Sequence, residues 1–334
     1  MVAGRGFKLA RQPFMPIAYI TSAGCSVRRE GQVLKVTTLE SQSTEIQLPL
    51  IKGIVLVGRC SMTTEAMIGA MEHNVPVVFV SRGGKIKGLT TPGVQRGAHL
   101  RFRQSQLTDN EKLDIARTYV GQKITMQAAF MREMYSRQED ISVGDASAKV
   151  QSLLESLSKA QTLDEIRGCE GAAAAAYWGV FNNALRGDIS FGGRTRRPPL
   201  DEVNCALSLG YTLLVGELSG GIMARGLDLA FGVLHVPQSG RPSLALDLVE
   251  PYRIAFVDRL VVRLVNTRQL LKKHFELRED GAVWFNDEGR RIFFTAYEET
   301  AQSRGWRKRL AGEIENFVRI LGVNDELPEQ YPEC

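Results

Sequence analysis

The chain has 334 residues, 44% of them hydrophobic and 24% charged. That is an ordinary globular composition, long enough for about two domains and for a core that needs neither disulfides nor a structural metal. Its five cysteines (25, 60, 169, 205 and 334) are odd in number and never spaced C-x-x-C. This argues against a disulfide scaffold, a zinc ribbon and a thioredoxin-type site, and it fits a cytoplasmic protein. With no N-terminal apolar h-region and no run near 18 to 20 apolar residues, neither secretion nor a membrane is expected. Net charge is +5, but residues 1–104 hold 14 Lys and Arg against five Glu and no Asp, a net +9, and the remainder carries −4. Such asymmetry suits either a face turned to a polyanion or a solvated basic surface.

In chain order, Met1–Phe14 reads as an extension, and the apolar run Pro16–Ser22 reads as a strand. Ser26–Arg29 and Gln32–Val36 flank Glu30-Gly31, where glycine allows the positive φ of a hairpin turn. Thr44–Leu48 alternates, and the β-branched run Ile51–Val57 suits a buried strand. Thr64–His73 has helical spacing, with Ala66, Met67, Ala70 and Met71 on one face. Val75–Val80 is again a strand, which Ser81-Arg82-Gly83-Gly84 should turn into Lys85–Leu89. The stretch from Thr90-Thr91-Pro92-Gly93 to Arg103 reads as a linker. From Thr108 the pattern turns helical: Leu113–Arg137 and Ser147–Leu157 are amphipathic, and Glu170–Phe181 contains five consecutive alanines, the strongest helix former. Pro198-Pro199 introduces a helix over Asp201–Arg225, closed by Gly226. The stripe Val257, Leu260, Val261, Leu264 and Val265 predicts a long helix over Ile254–Leu277. The expected class is α+β multidomain. A small, mostly β, sandwich-like N-terminal domain (1–98) and a linker (99–107) precede a larger all-α catalytic domain (108–334).

Four histidines are candidates for chemistry. His73 lies at a helix end, where an imidazole caps carbonyls, while His99 and His274 sit in polar surroundings and read as solvated. His235 differs, because it follows the buried-looking run Leu229–Leu234 and precedes a turn. It is either a satisfied core residue or a functional one. Close by, Asp247 and Glu250 stand three apart among leucines, on one face if helical. Unpaired carboxylates are costly when buried, so the pair calls for a cation, either Arg253 alone or a divalent metal. Glu170, at the predicted start of the alanine-rich helix, is either a dipole-compensating acid or a third ligand. Two carboxylates and an imidazole suit Mn²⁺ or Mg²⁺ better than Zn²⁺. Arg186, Arg194, Arg196 and Arg197, with only Asp188 opposing, surround Phe191-Gly192-Gly193, a combination suited to phosphate contacts. A second basic cluster, Arg304, Trp306, Arg307, Lys308 and Arg309, either contacts nucleic acid or is the polar face of a terminal helix. No P-loop, G-x-G-x-x-G or G-x-S-x-G is present, so nucleotide hydrolysis, dinucleotide binding and serine-hydrolase chemistry lack support.

Several motifs occur in order. They are Gly168-x-Glu170-Gly171-x-Ala173-Ala174-x-x-Tyr177, then Phe191-x-Gly193-Arg194-x-Arg196-Arg197-Pro198-Pro199, then Asp201-x-x-Asn204-x-x-Leu207-Ser208-Leu209-Gly210-Tyr211. Gly226-Leu227-Asp228, Gly232-x-Leu234-His235 and Leu244-Ala245-Leu246-Asp247-Leu248-x-Glu250-x-x-Arg253 complete the series. Together with Glu72-His73-Asn74-Val75-Pro76 and the apolar run after it, they resemble the CRISPR-associated integrase, or endonuclease of CRISPR adaptation. That protein is the larger of the two core spacer-acquisition proteins, and the resemblance spans roughly residues 16–322.

The resemblance implies a dimerising N-terminal domain and a metal-dependent active site in the helical domain. Its metal ligands map onto Glu170, His235 and Glu250, with Asp247 as a supporting catalytic acid. The family varies between Asp and Glu at the position of Glu250. The implied reaction is integration of short double-stranded DNA into a CRISPR repeat by 3′-OH transesterification, with Mg²⁺ or Mn²⁺ as cofactor and nuclease activity alongside. Implied partners are a second copy of the chain and a small ferredoxin-like adaptation protein that bridges two dimers. Arg186, Arg194, Arg196, Arg197 and Arg253 are the expected DNA contacts, made mainly through phosphates. Two competing readings are a stand-alone metal-dependent DNA nuclease of repair and an idle DNA-binding scaffold.

Overall fold

The computed structural model describes residues 17–323 apart from 22–23, 82–85, 91–96, 139, 190 and 239. The expected extension over 1–14, most of the Ser81–Gly84 turn and most of the Thr90–Gly93 stretch lie outside the described residues. The N-terminal part runs β1 (Ile17–Ile20), β2 (Ser26–Glu30), β3 (Val33–Thr37), β4 (Ser43–Gln47), β5 (Gly53–Val57), β6 (Ser61–Met62), α1 (Thr64–Glu72), β7 (Val77–Val80) and β8 (Ile86–Thr90). Two four-stranded sheets result, ordered β1-β5-β7-β8 and β4-β3-β2-β6. The hairpin turn falls one residue later than predicted. Glu30 pairs with Val33, and Gly31 supplies the left-handed φ of +64°.

The alternation within the first sheet shows how the fold is joined. Ala18, Ile20, Ile54, Leu56 and Val77 enter a core with Val27, Leu34, Val36 and Ile46 of the second sheet. The opposite face, with Ile17, Tyr19, Val55, Val57, Val78 and Val80, enters the core of the helical part. A sheet covered on both faces needs continuous apolar strands rather than alternating ones, and β1 and β5 are buried throughout. At the end of α1, Nδ1 of His73 lies 2.9 Å from the carbonyl of Gly69, the capping role read from sequence.

The stretch expected to link the two parts contains helix α2 (Ala98–Ser105). It is bound to the helical part on three sides. Leu100 is fully buried, Arg101 and Arg103 donate to the carbonyls of Gly226 and Leu321, and the Gln104 amide exchanges two hydrogen bonds with the backbone of Asp228.

The helical part continues with α3 (Asp109–Gln138), α4 (Ile141–Lys159), α5 (Leu163–Val180) and α6 (Glu202–Ala224). Then come α7 (Ser243–Leu248), α8 (Glu250–Tyr252), a π-helical turn over Arg253–Asp258, α9 (Arg259–Asn266), α10 (Asp287–Ser303) and α11 (Trp306–Leu321). Helix α6 is the centre of this part. It is long and apolar enough to cross a membrane, but 78% of its most apolar stretch is buried within the fold. Asp201 caps it by accepting from the amide of Asn204, and Gly226 follows it with φ +88°.

Two expectations are corrected here. The helix predicted over 254–277 ends at Asn266, where Arg268 takes a left-handed φ of +56° and the amides of Gln269 and Leu270 both return to Leu264. Beyond it a small hairpin, β9 (Phe275–Leu277) and β10 (Val283–Phe285), interrupts the otherwise helical part. His274, expected to be solvated, is buried, and its Nδ1 accepts from the amide of Leu271. The apolar stripe stops at Val265, and the apolar residues after it serve a sheet.

Candidate active site

Glu170 lies in the middle of α5, not in its first turn as the sequence suggested. The helix starts two turns earlier, where Thr162 caps it by accepting from the amide of Glu165 while Glu165 accepts from that of Gln161. Asp164 and Glu165 are the acids of its first turn. The dipole explanation for Glu170 therefore fails, and another partner must account for its position. That partner is Lys123, on the facing side of α3, whose ammonium lies 2.5 Å from Oε1 of Glu170 and 2.6 Å from Oε2 of Glu250.

Lys123 and Glu250 are both buried, with 10% and 6% of their side chains exposed, and Glu170 is 22% exposed. Burial alone would discharge Lys123, but the carboxylates of Glu250 and Glu170 outweigh it and raise its pKa. Burial likewise pushes Glu250 up, and the charges of Arg253, Lys123 and His235 more than reverse this, holding it at about 2. Arg253 completes the surroundings of Glu250, with Nε 3.2 Å from Oε1, and its guanidinium lies over the ring of Tyr211. Even so, Oε2 of Glu250 is buried without a well-directed hydrogen bond.

His235 is placed by a separate device. Nδ1 of its ring is 2.5 Å from Oδ1 of Asp247, which also accepts from the His235 amide at 3.1 Å. Oδ2 of Asp247 accepts from the amides of Val233 and Leu234 at 2.5 and 3.1 Å. Asp247, 1% exposed, is thus saturated by one loop and one imidazole. It fixes the ring through Nδ1 and leaves Nε2 as the nitrogen for an outside partner. Arg167 of α5 holds the same loop by donating twice to the carbonyl of Leu234. Gly232 is required here, because a Cβ would stand 2.8 Å from both Oδ2 of Asp247 and the His235 carbonyl.

Further hydrogen bonds support these residues. Tyr119 of α3 and Tyr252 of α8 both donate to Glu313 of α11 at 2.9 Å, clamping the two helices that bear Lys123 and Glu250. Tyr177, two turns beyond Glu170 on α5, donates at 2.8 Å to Asp258, which also accepts from Tyr211. Desolvation, only partly offset by these hydrogen bonds and by Arg194 and Arg253, raises Asp258 to about 6. Asp258 ends the π-helical turn that starts at Arg253, a widened turn of a kind that recurs at functional sites.

Of the expected DNA contacts, Arg186, Arg196 and Arg197 are exposed. Arg194 is turned inward instead. It donates to Asn204 at 2.7 Å and to Ser208 at 3.3 Å, and it lies over the rings of Trp178 and Tyr211. Arg253 is engaged by Glu250 and Tyr211. In the second basic cluster Arg307 is buried between Glu217 and Glu298, and Trp306 stacks on Phe256. Lys123, Arg167 and Asp258 carry no sequence signal that marks them as parts of a site.

The residues that converge can be tested for a divalent metal. Among the described residues no three His, Cys, Asp or Glu side chains are gathered as a ready ligand cluster. Two carboxylates already share one cation, however, one of their oxygens lacks a directed hydrogen bond, and the His235 imidazole is held through Nδ1, with no hydrogen bond at Nε2 among the described residues. This donor set fits a hard or borderline divalent ion.

The family model for the CRISPR-associated protein Cas1 matches residues 18–299. The chain belongs to the Cas1 family. A CRISPR-associated endonuclease Cas1 of Chlorobaculum tepidum is 33% identical over 293 residues, 85% of each chain. Among solved structures, a Cas1 protein of Thermotoga maritima superposes with a TM-score of 0.82 at 24% identity, covering 95% of this chain and all of that one. A casposase bound to integration product gives 0.81 at 23% identity, covering 94% and 92%. A Cas6-RT-Cas1–Cas2 complex gives 0.75 at 22% identity, covering 94% of this chain and 36% of that one. The family resemblance and the Cas1 fold read from sequence are both borne out.

Proposed function

We propose that this Cas1 is a divalent-metal-dependent DNA integrase and endonuclease of CRISPR adaptation. The observation that carries this reading is the convergence of Glu170 and Glu250 on a single cation position, beside an imidazole held by a saturated carboxylate. Glu170, Glu250 and Nε2 of His235 would hold Mn²⁺ or Mg²⁺. The bound ion would supply Lewis-acid stabilisation of charge on the attacked phosphate and the departing oxygen.

The protein's own groups do the rest. Asp247 fixes the His235 ring through Nδ1, leaving the second nitrogen for another partner, and Arg253 keeps Glu250 ionised. Exposed Arg186, Arg196 and Arg197 bind phosphates of the DNA duplex. In the reaction the 3′-OH of a short duplex forms a new bond to phosphorus at the edge of a repeat. The old P–O3′ bond breaks, and a proton passes from the attacking to the departing hydroxyl. One phosphodiester replaces another, so no nucleotide is hydrolysed. With water as nucleophile the same site nicks DNA.

The Chlorobaculum relative is named an endonuclease, the casposase neighbour is bound to an integration product, and another neighbour is assembled with Cas2. These names support an endonuclease and integrase reading that involves a Cas2-type partner. The proposal extends it for this chain: residues 1–98 would dimerise, residues 108–334 would catalyse, and a small ferredoxin-like partner would bridge two dimers in the cytoplasm.

A strand-transfer assay tests the proposal. Labelled short duplex with free 3′ ends is incubated with a supercoiled repeat plasmid, the small partner and Mn²⁺ or Mg²⁺. Wild type should join label to plasmid, and His235→Ala and Glu250→Ala should not. Nicking without joining would reduce the protein to a nuclease, and binding with neither product would leave a scaffold.

A further inference from the structure

We infer that Lys123 is a built-in counter-cation of the metal site. Its ammonium holds Glu170 and Glu250 together while the site is metal-free and is displaced when a divalent ion binds. The inference rests on the metal-site reading above, and it adds a residue that the sequence motifs do not include. Two buried carboxylates that face each other repel unless a positive charge lies between them. Lys123 supplies that charge at 2.5 and 2.6 Å, distances at which no further cation fits between the same oxygens.

The other cation near Glu250 cannot replace it. Arg253 pairs with Oε1 of Glu250, its guanidinium is committed to the Tyr211 face, and among the described residues it forms no ion pair with Glu170. The geometry also sets the sign of the effect. A divalent ion placed between the carboxylates would meet a unit positive charge at contact distance, so ion and ammonium exclude each other. Lysine suits such an exchange: a compact ammonium on a flexible four-carbon stem can withdraw without dismantling a planar bidentate pair, which an arginine could not do. The site is thereby kept assembled without metal, at the cost of weaker metal binding. Lys123 is in this sense a positioning residue.

The test uses the full-length protein and Mn²⁺ alone. Free Mn²⁺ is measured by its electron paramagnetic resonance signal during titration, and thermal midpoints are recorded in EDTA and in Mn²⁺. Lys123→Gln and Lys123→Met are compared with wild type and with Glu250→Gln. Both Lys123 variants should melt lower in EDTA, bind Mn²⁺ about tenfold tighter, and show a larger rise in midpoint on adding Mn²⁺. A variant that folds only with Mn²⁺ would be the same result in stronger form. A purely structural lysine would lower the midpoint and leave Mn²⁺ affinity unchanged or weaker, and that outcome overturns the inference. If wild type and both variants show no Mn²⁺ binding that Glu250→Gln removes, the metal-site reading itself fails and the inference falls with it.

Discussion

Asp258 links the scaffold of the site to pH. Its carboxyl is fully buried, accepts from Tyr177 and Tyr211, and ends the turn that begins at Arg253, so it ties the helix of Glu170 to the segment after Glu250. Desolvation raises it from the ordinary 3.8 to about 6. A group whose pKa is raised on folding binds its proton more tightly in the native state. Its stabilising contribution is complete below about pH 4 and is lost as pH rises through 6. At about 1.4 kcal/mol per pH unit, the rise from 3.8 to about 6 corresponds to about 3 kcal/mol. Asp258→Asn has the shape of the protonated acid and cannot ionise, so it should remove this dependence. Urea unfolding of wild type and variant is compared at pH 4.5, 6.0 and 7.5. The stability difference should move in favour of the variant by about 2 kcal/mol across that range, the rest of the contribution having been lost already between about pH 3 and 4.5. Parallel curves would refute the reasoning and show that the two tyrosine hydrogen bonds, not burial, dominate at Asp258.

Further outcomes follow from the geometry. Asp247→Asn keeps the size of the side chain but places an NH₂ against backbone amides or the imidazole, and strand transfer should fall about 10- to 100-fold, the usual loss when a ligand's supporting carboxylate is changed. Asp247→Ala leaves buried amides unpaired and should also cost about 3 kcal/mol in chemical denaturation. Arg196→Ala and Arg197→Ala should weaken duplex binding and each lower the salt slope of the affinity by about 1. Arg194→Ala should instead lower the thermal midpoint, because its guanidinium is held by Asn204, Ser208 and two aromatic rings. Gly232→Ala should abolish joining while duplex affinity persists, since the added carbon collides with the carboxylate that orients His235.

Local patterns made much of this legible. The strands of the first sheet, the helix capped by Asp201 and the histidine at the end of α1 follow from side-chain period and capping chemistry. The acids Glu170, Asp247 and Glu250 stood out because carboxylates among alanines and leucines require an explanation. Their partners did not stand out. Lys123 is one cation on a thirty-residue amphipathic helix, and it is buried only because α5 and α8 close over it. Arg194 and Arg196 are indistinguishable as neighbours in a glycine-rich loop, and Asn204, ten residues on, decides which of them turns inward. The π-helical turn after Glu250 has no side-chain period that a helix would not share. The end of α9 was missed for a similar reason: the apolar residues beyond it serve a hairpin whose pairing is non-local.

The central claim is that Glu170, His235 and Glu250 hold one divalent ion, with His235 bound through the nitrogen that Asp247 leaves free. Pulsed electron paramagnetic resonance of the Mn²⁺-loaded protein tests it directly, because an imidazole ligand imprints a nitrogen modulation on the manganese signal. The account expects that modulation in wild type, its loss in His235→Ala with Mn²⁺ still bound, and loss of Mn²⁺ itself in the Glu170→Gln, Glu250→Gln double variant. A wild-type spectrum without nitrogen coupling, or Mn²⁺ retained by the double variant with unchanged affinity, would contradict it.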